Sequence, residues 1–151
     1  MSREIEFRVW LKESLLEKNG YYKYESYKEK IDKLGRMRKV HSIHLNKESI
    51  IISSAWGGNI GVYFDGVELM QWTSLKDRNG VKIFEGDIVK VDYLQEKIFE
   101  IIFVNGGFKL KAKDCSTEYD YSITSTMIEE NAIEVIGNIY ENPELLGDNN
   151  E

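Results

Sequence analysis

One cysteine, one proline and two histidines are all that a chain of 151 residues offers of the types that staple, kink or ligate. A lone Cys115 excludes an intramolecular disulfide, and with no secretory segment in view it points to a reducing cytoplasm. Apolar runs are short as well. The longest, Ile98 to Val104, is broken by Glu100 and falls far below the ~20 apolar residues a membrane helix needs, so a soluble protein is expected. His41-x-x-His44 is the one histidine pair, and zinc would require further ligands that no spacing identifies. On a strand the two have opposite parity, and they read as surface residues. The chain contains no Gly-x-Ser-x-Gly elbow, no phosphate loop and no dinucleotide fingerprint, and spacing matches no histidine to Cys115. Glu85 and Asp87 flank Gly86 and read as turn chemistry in preference to an acid–base pair, because aspartate beside glycine commonly bonds local backbone amides. No catalytic constellation, metal site or cofactor is therefore expected.

What the chain does contain is 42% apolar and 12% aromatic residues, enough for a packed core without staples. Its net charge of −6 is unevenly spread. Lys23 to Lys47 holds eight basic residues against three acids, whereas Asp114 to Glu151 holds ten acids and no Lys or Arg. The basic segment, Lys28, Lys30, Lys33, Arg36, Arg38 and Lys39 near four tyrosines, is the candidate contact for nucleic acid or another partner, since cations neutralise phosphates while aromatics stack on bases. A sequence pI near 5.1 opposes that reading. The acidic C-terminal third permits the reverse, a DNA mimic that inhibits a host protein, but Ile133, Val135, Ile136 and Ile139 among its acids suggest a strand with a wet face. Trp72, with Phe84, Tyr93, Phe103 and Phe108, could line a groove for a peptide or base; core packing is the favoured role for these rings.

Periodicity predicts a mainly β, α+β chain. Glu4 to Trp10 alternates Ile5, Phe7 and Val9 with polar residues, as a strand buried on one face does, with Trp10 on the other face. Tyr24, Tyr27, Ile31 and Leu34, with Met37 extending the series, recur at helical spacing and predict a short amphipathic helix. A strand-rich region is predicted with Ile43, Leu45, Ser49 to Ala55 and Gly61 to Phe64, then strands at Glu68 to Leu75, Val81 to Phe84, Asp87 to Leu94, Ile98 to Val104, Gly107 to Lys113 and Ile133 to Tyr140. Asn79-Gly80 and Asn105-Gly106 supply two-residue hairpin turns, a helical turn is expected at Thr126 to Asn131, and Pro143 should end regular structure. Short antiparallel strands joined by tight turns suggest an SH3-like or related, partly open small barrel over residues 67–145. An N-terminal α+β lobe would occupy residues 1–66 and an acidic tail residues 146–151, although a single domain would also suit the length.

Three segments, REIEFRVW at Arg3 to Trp10, LMQWTSLKDRNGVKIFEGDIVKVDY at Leu69 to Tyr93 and IEVIGNIYENPEL at Ile133 to Leu145, fall in the order seen in the YopX family of phage and prophage proteins, which the chain resembles. Leu11 to Gly66 lies outside that resemblance. The family has no assigned activity, so no catalytic residue carries over. One departure is Ser74, where the family often has glycine; a serine there argues against a positive φ. The resemblance and the missing catalytic constellation together imply a phage or prophage accessory protein in the bacterial cytoplasm. It would act by binding another protein or copies of itself, with the basic segment facing the Asp114 to Glu134 region of a partner copy. Nucleic-acid binding, DNA mimicry and an enzyme without a motif-readable site are the alternatives.

Overall fold

The computed structural model describes residues 5–18, 36–53, 57–94, 97–112, 121–123, 125–130 and 132–147. The helix expected at Tyr24 to Leu34, and with it Lys28, Lys30 and Lys33, lies outside these residues, as do Cys115 and the last four positions. The fold is mainly β and divides into two compact units, Glu6–Met70 and Gln71–Glu151, the latter joined by Met1–Ile5. Strand β5, Val67–Lys76, runs from one into the other.

In the first unit come β1 (Phe7–Leu11), a six-residue helix α1 (Glu13–Lys18), β2 (Met37–His44), β3 (Ser49–Ser53) and β4 (Asn59–Tyr63). The alternation expected of β1 is present, with Val9 and Leu11 buried and Trp10 on the half-exposed face, while Ile5 precedes the strand and is exposed. Met37 opens β2 and does not continue a helix. It pairs with Trp10, and Arg38 with Val9. The register of β2 against β3 shifts between Val40 and Ser42, so that Val40 and Ile43, on opposite sides of the bulge, both pack on the core through Ile52 and Ile50. Residues Val9, Leu11, Leu15, Ile50, Ile52, Val62 and Val67 form that core.

In the second unit β6 (Lys82–Phe84), β7 (Asp87–Val91), β8 (Lys97–Val104), β9 (Gly107–Ala112), β10 (Tyr121–Ser122), helix α2 (Ser125–Glu129) and β11 (Ile133–Asn138) follow. β6, β8, β9 and β11 fall within or within one residue of expected strands, β7 ends at Val91 where a 3-10 turn, Asp92–Leu94, replaces the expected strand end, β10 was not expected, and α2 overlaps the predicted helical turn. Pro143 follows the last strand but opens a 3-10 turn, Pro143–Leu146, in place of ending regular structure. The core comprises Ile83, Val89, Val91, Phe99, Ile101, Leu110, Met127 and Ile133.

Strand orders are β4-β3-β2-β1-β5-β6 and β10-β9-β8-β7-β11, with every described pairing antiparallel. Neither sheet closes on itself: among the described residues of the region expected as a barrel, β7 to β10 follow one another in an open antiparallel sheet and β11 returns to pair with β7.

Candidate functional site

The densest polar cluster of the described residues is built on the loop Asp77-Arg78-Asn79-Gly80 between β5 and β6. Two Asn-Gly pairs share a sequence but not a turn. At the β8–β9 connection Asn105 and Gly106 both take positive φ, 51° and 79°, the two-residue turn that was expected. At Asn79-Gly80 only Gly80 does, at 78°. There the Gly80 N–H donates to the Asp77 carbonyl at 3.0 Å and the Asp77 N–H to the Val81 carbonyl at 2.8 Å, which makes a three-residue loop. The cause is Asp77. Its Oδ1 accepts the Asn79 and Val81 N–H groups, each at 2.8 Å, and this carboxylate bonding favours the longer loop.

The same carboxylate reaches further. Asp77 is only 7% exposed, and its Oδ2 accepts the Val135 N–H of β11 at 3.0 Å. The Arg78 N–H donates to the Ile133 carbonyl at 3.1 Å, so one loop satisfies two backbone groups on the β11 edge that faces away from β7. Outside the loop, the Arg78 guanidinium grips Asp92 through two bonds of 2.8 and 2.9 Å and reaches Glu134 at 3.1 Å. Hydrogen bonds from Arg78 hold the Asp92 carboxyl below its ordinary value, and the Asp92 partner raises the Arg78 guanidinium in turn.

Ser74 takes φ 73°, against the expectation from its side chain. It sits where Trp72 pairs with Phe84 and Lys76 with Lys82, a register shift that leaves Thr73, Ser74 and Leu75 opposite Ile83. Thr73 Oγ1 donates to the Ile83 carbonyl at 2.8 Å and accepts the Leu75 N–H at 3.2 Å, fixing a bulge that calls for a left-handed residue at its centre. Asp87, buried at the entrance to β7, accepts the Phe84 N–H at 2.7 Å through Oδ2, the turn role expected of it. Burial raises the neighbouring Glu85 carboxyl, a backbone hydrogen bond at Gln71 opposes the shift, and the charge of Glu100 adds to it. At the far end of β11, Asn138 Oδ1 accepts the N–H groups of Tyr140 and Glu141, both at 3.0 Å, and its Nδ2 donates to Glu141 at 2.6 Å.

The described members of the basic segment do not form one open surface. Arg38 is buried and donates to the Met37 carbonyl at 2.8 Å; burial lowers its guanidinium from the ordinary value. Arg36 lies 5.7 Å from the Trp10 ring centroid and 3.6 Å from Glu13. Lys39 is exposed. Trp72 is buried, donates from Nε1 to the Leu75 carbonyl at 3.0 Å and carries the Lys82 ammonium 4.4 Å from its ring centroid, contacts that hold it within the fold. Both histidines are exposed, with Ser42 Oγ 3.0 Å from His44 Nε2. Among the described residues no group of three or more His, Cys, Asp or Glu is arranged to hold a metal ion. Sequence reasoning missed Arg78 and Asp77. Their signal is an acid–Arg–Asn–Gly run at a hairpin, of which turn chemistry alone uses only the Asn79-Gly80 pair.

Residues 6–147 match the family model described as "YopX protein". The chain is 36% identical over 70 residues to the SPbeta prophage-derived uncharacterized protein YopX of Bacillus subtilis (strain 168), a match covering 44% of this chain and 52% of that protein. It thus spans about half the length of the curated relative it matches. A crystal structure of protein EF1440 from Enterococcus faecalis is similar along 96% of this chain and 99% of the other, with a TM-score of 0.54 and 27% identity.

Proposed function

The chain belongs to the YopX family, and from that premise we propose a prophage-associated accessory protein of the host cytoplasm that acts by binding, foremost to copies of itself. The observation that carries this reading is how the polar side chains are used. Asp77, Asp87 and Asn138 each accept backbone N–H groups, and Arg78 joins two carboxylates, so the cluster of greatest polar density works for the fold. Exposed surface instead offers apolar groups: Leu45 at 77%, Tyr63 at 66% and Phe103 at 49%, the last edge-to-face with Phe108 at 5.1 Å. The engagement of Arg36 and Arg38 within the fold argues against nucleic acid as the partner. For the second unit the same reading includes the finer fold: short antiparallel strands suited to a partly open, SH3-like barrel.

Light scattering behind size-exclusion, at high and low micromolar protein and at low salt, tests the function. A mass above that of one chain is expected. A strict monomer that retains DNA or RNA at low salt, with retention falling steeply as salt rises, would replace self-association with the nucleic-acid reading.

A further inference from the structure

We propose that the outer edge of β4 pairs antiparallel with β4 of a second copy, about a twofold axis at Gly61. The inference rests on the self-association reading and names its interface. Of the four terminal strands, β6 has three residues, β10 has two, and β11 has its outward Val135 N–H and Ile133 carbonyl taken by Asp77 and Arg78. β4 is different. It is five residues long, pairs with β3 in unbroken register from Ser49–Tyr63 to Ser53–Asn59, and has no strand on its other side among the described residues. Its sequence, Asn-Ile-Gly-Val-Tyr, contains none of the devices that blunt an edge: no proline, no charge, no bulge.

A second copy is the occupant that fits this strand. Antiparallel pairing about Gly61 sets Asn59 against the other copy's Tyr63, Ile60 against its Val62 and Gly61 against its Gly61, a self-complementary register for either set of outward backbone groups. Because the strand is uncharged, like meets like without repulsion. Ile60 and Val62 sit on the core side, in the rows Val40–Ile52–Ile60 and Ile43–Ile50–Val62, so pairing extends both apolar rows across the axis. Tyr63 and Asn59 lie on the opposite face, where the tyrosine ring would cover the other copy's Asn59.

Gly61 supplies the test. A Cβ there meets only Ile51 Cδ1 among the described residues, at 3.5 Å, an ordinary contact, so the backbone accommodates a substitution that places two side chains together at the axis. Gly61→Lys sets like charges face to face and should weaken dimerisation at least ~tenfold, while Gly61→Ser retains it. Both are measured by sedimentation equilibrium, with circular dichroism confirming the fold. In the wild type, amide exchange along β4 should slow as concentration rises, a readout that holds even where a variant misfolds. A wild-type dimer that Gly61→Lys leaves intact, with β4 exchange independent of concentration, overturns the β4 interface but not self-association. A wild type monomeric at high micromolar concentration overturns both.

Discussion

Asp77 bears more of the fold than any other single side chain described. Three backbone N–H groups converge on one buried carboxylate, so Asp77→Ala leaves buried donors without acceptors and should cost about 2–4 kcal/mol, read as a lowered urea midpoint. Ser74 predicts an opposed pair. A β-branched valine at φ 73° should destabilise by about 1–2 kcal/mol, whereas Ser74→Gly should be neutral or stabilising by up to about 1 kcal/mol, because glycine alone adopts that conformation freely. Two carboxylates give pH effects of opposite sign. Asp92, held low by Arg78, contributes stability that is present above the ordinary aspartate range and lost as pH falls through its depressed value. Asp92→Asn should therefore flatten the acid limb of a stability–pH curve. Glu85, raised chiefly by burial, imposes a cost that is absent below the ordinary glutamate value and complete above its raised one, so Glu85→Gln should raise stability at neutral pH and much less in acid.

At the level of elements, strands β5 to β9 and β11 were legible because two-residue alternation and turn signals agree there. β2 was not. Met37 continues the helical spacing of Tyr24 to Leu34, and the bulge between Val40 and Ser42 interrupts the alternation that marks a strand. Helix α1, six residues long, is too short to show periodicity. Closure of a sheet is a tertiary property that no local pattern encodes. The two Asn-Gly pairs show how far a dipeptide can be trusted: their flanks decide, since Asp77 converts one turn into a three-residue loop and no such acceptor precedes Asn105. The candidate basic site was legible as composition only, because burial of Arg38 depends on pairing with β1. β11 carries a further test. A Cβ on Gly137 would lie 2.6 Å from Asn142 Oδ1 and 2.9 Å from its Cγ, so Gly137→Ala should displace Asn142 and loosen the turn after β11, seen as faster amide exchange at Asn138 to Asn142.

Among the described residues each unit has an apolar core, one centred on Ile50 and Ile52 and the other on Phe99 and Ile101. Truncation in either should act first on its own unit. Ile52→Ala should cost about 2–5 kcal/mol and raise amide exchange chiefly in residues 6–70, while Ile101→Ala should do so in residues 71–147. The contrast between the two Asn-Gly turns also bears on how the protein ages. Asparagine before glycine converts to aspartate and isoaspartate when the following backbone nitrogen attacks its side chain, a reaction that needs local freedom. Asn79 is restrained, its Nδ2 donating to Glu134 at 3.4 Å and the Gly80 N–H to Asp77, whereas Asn105 sits on an exposed hairpin tip. Of these two positions Asn105 is where stored protein should deamidate first, as peptide mapping would register. Isoaspartate inserts an extra carbon into the backbone, and a turn only two residues long has nowhere to absorb it.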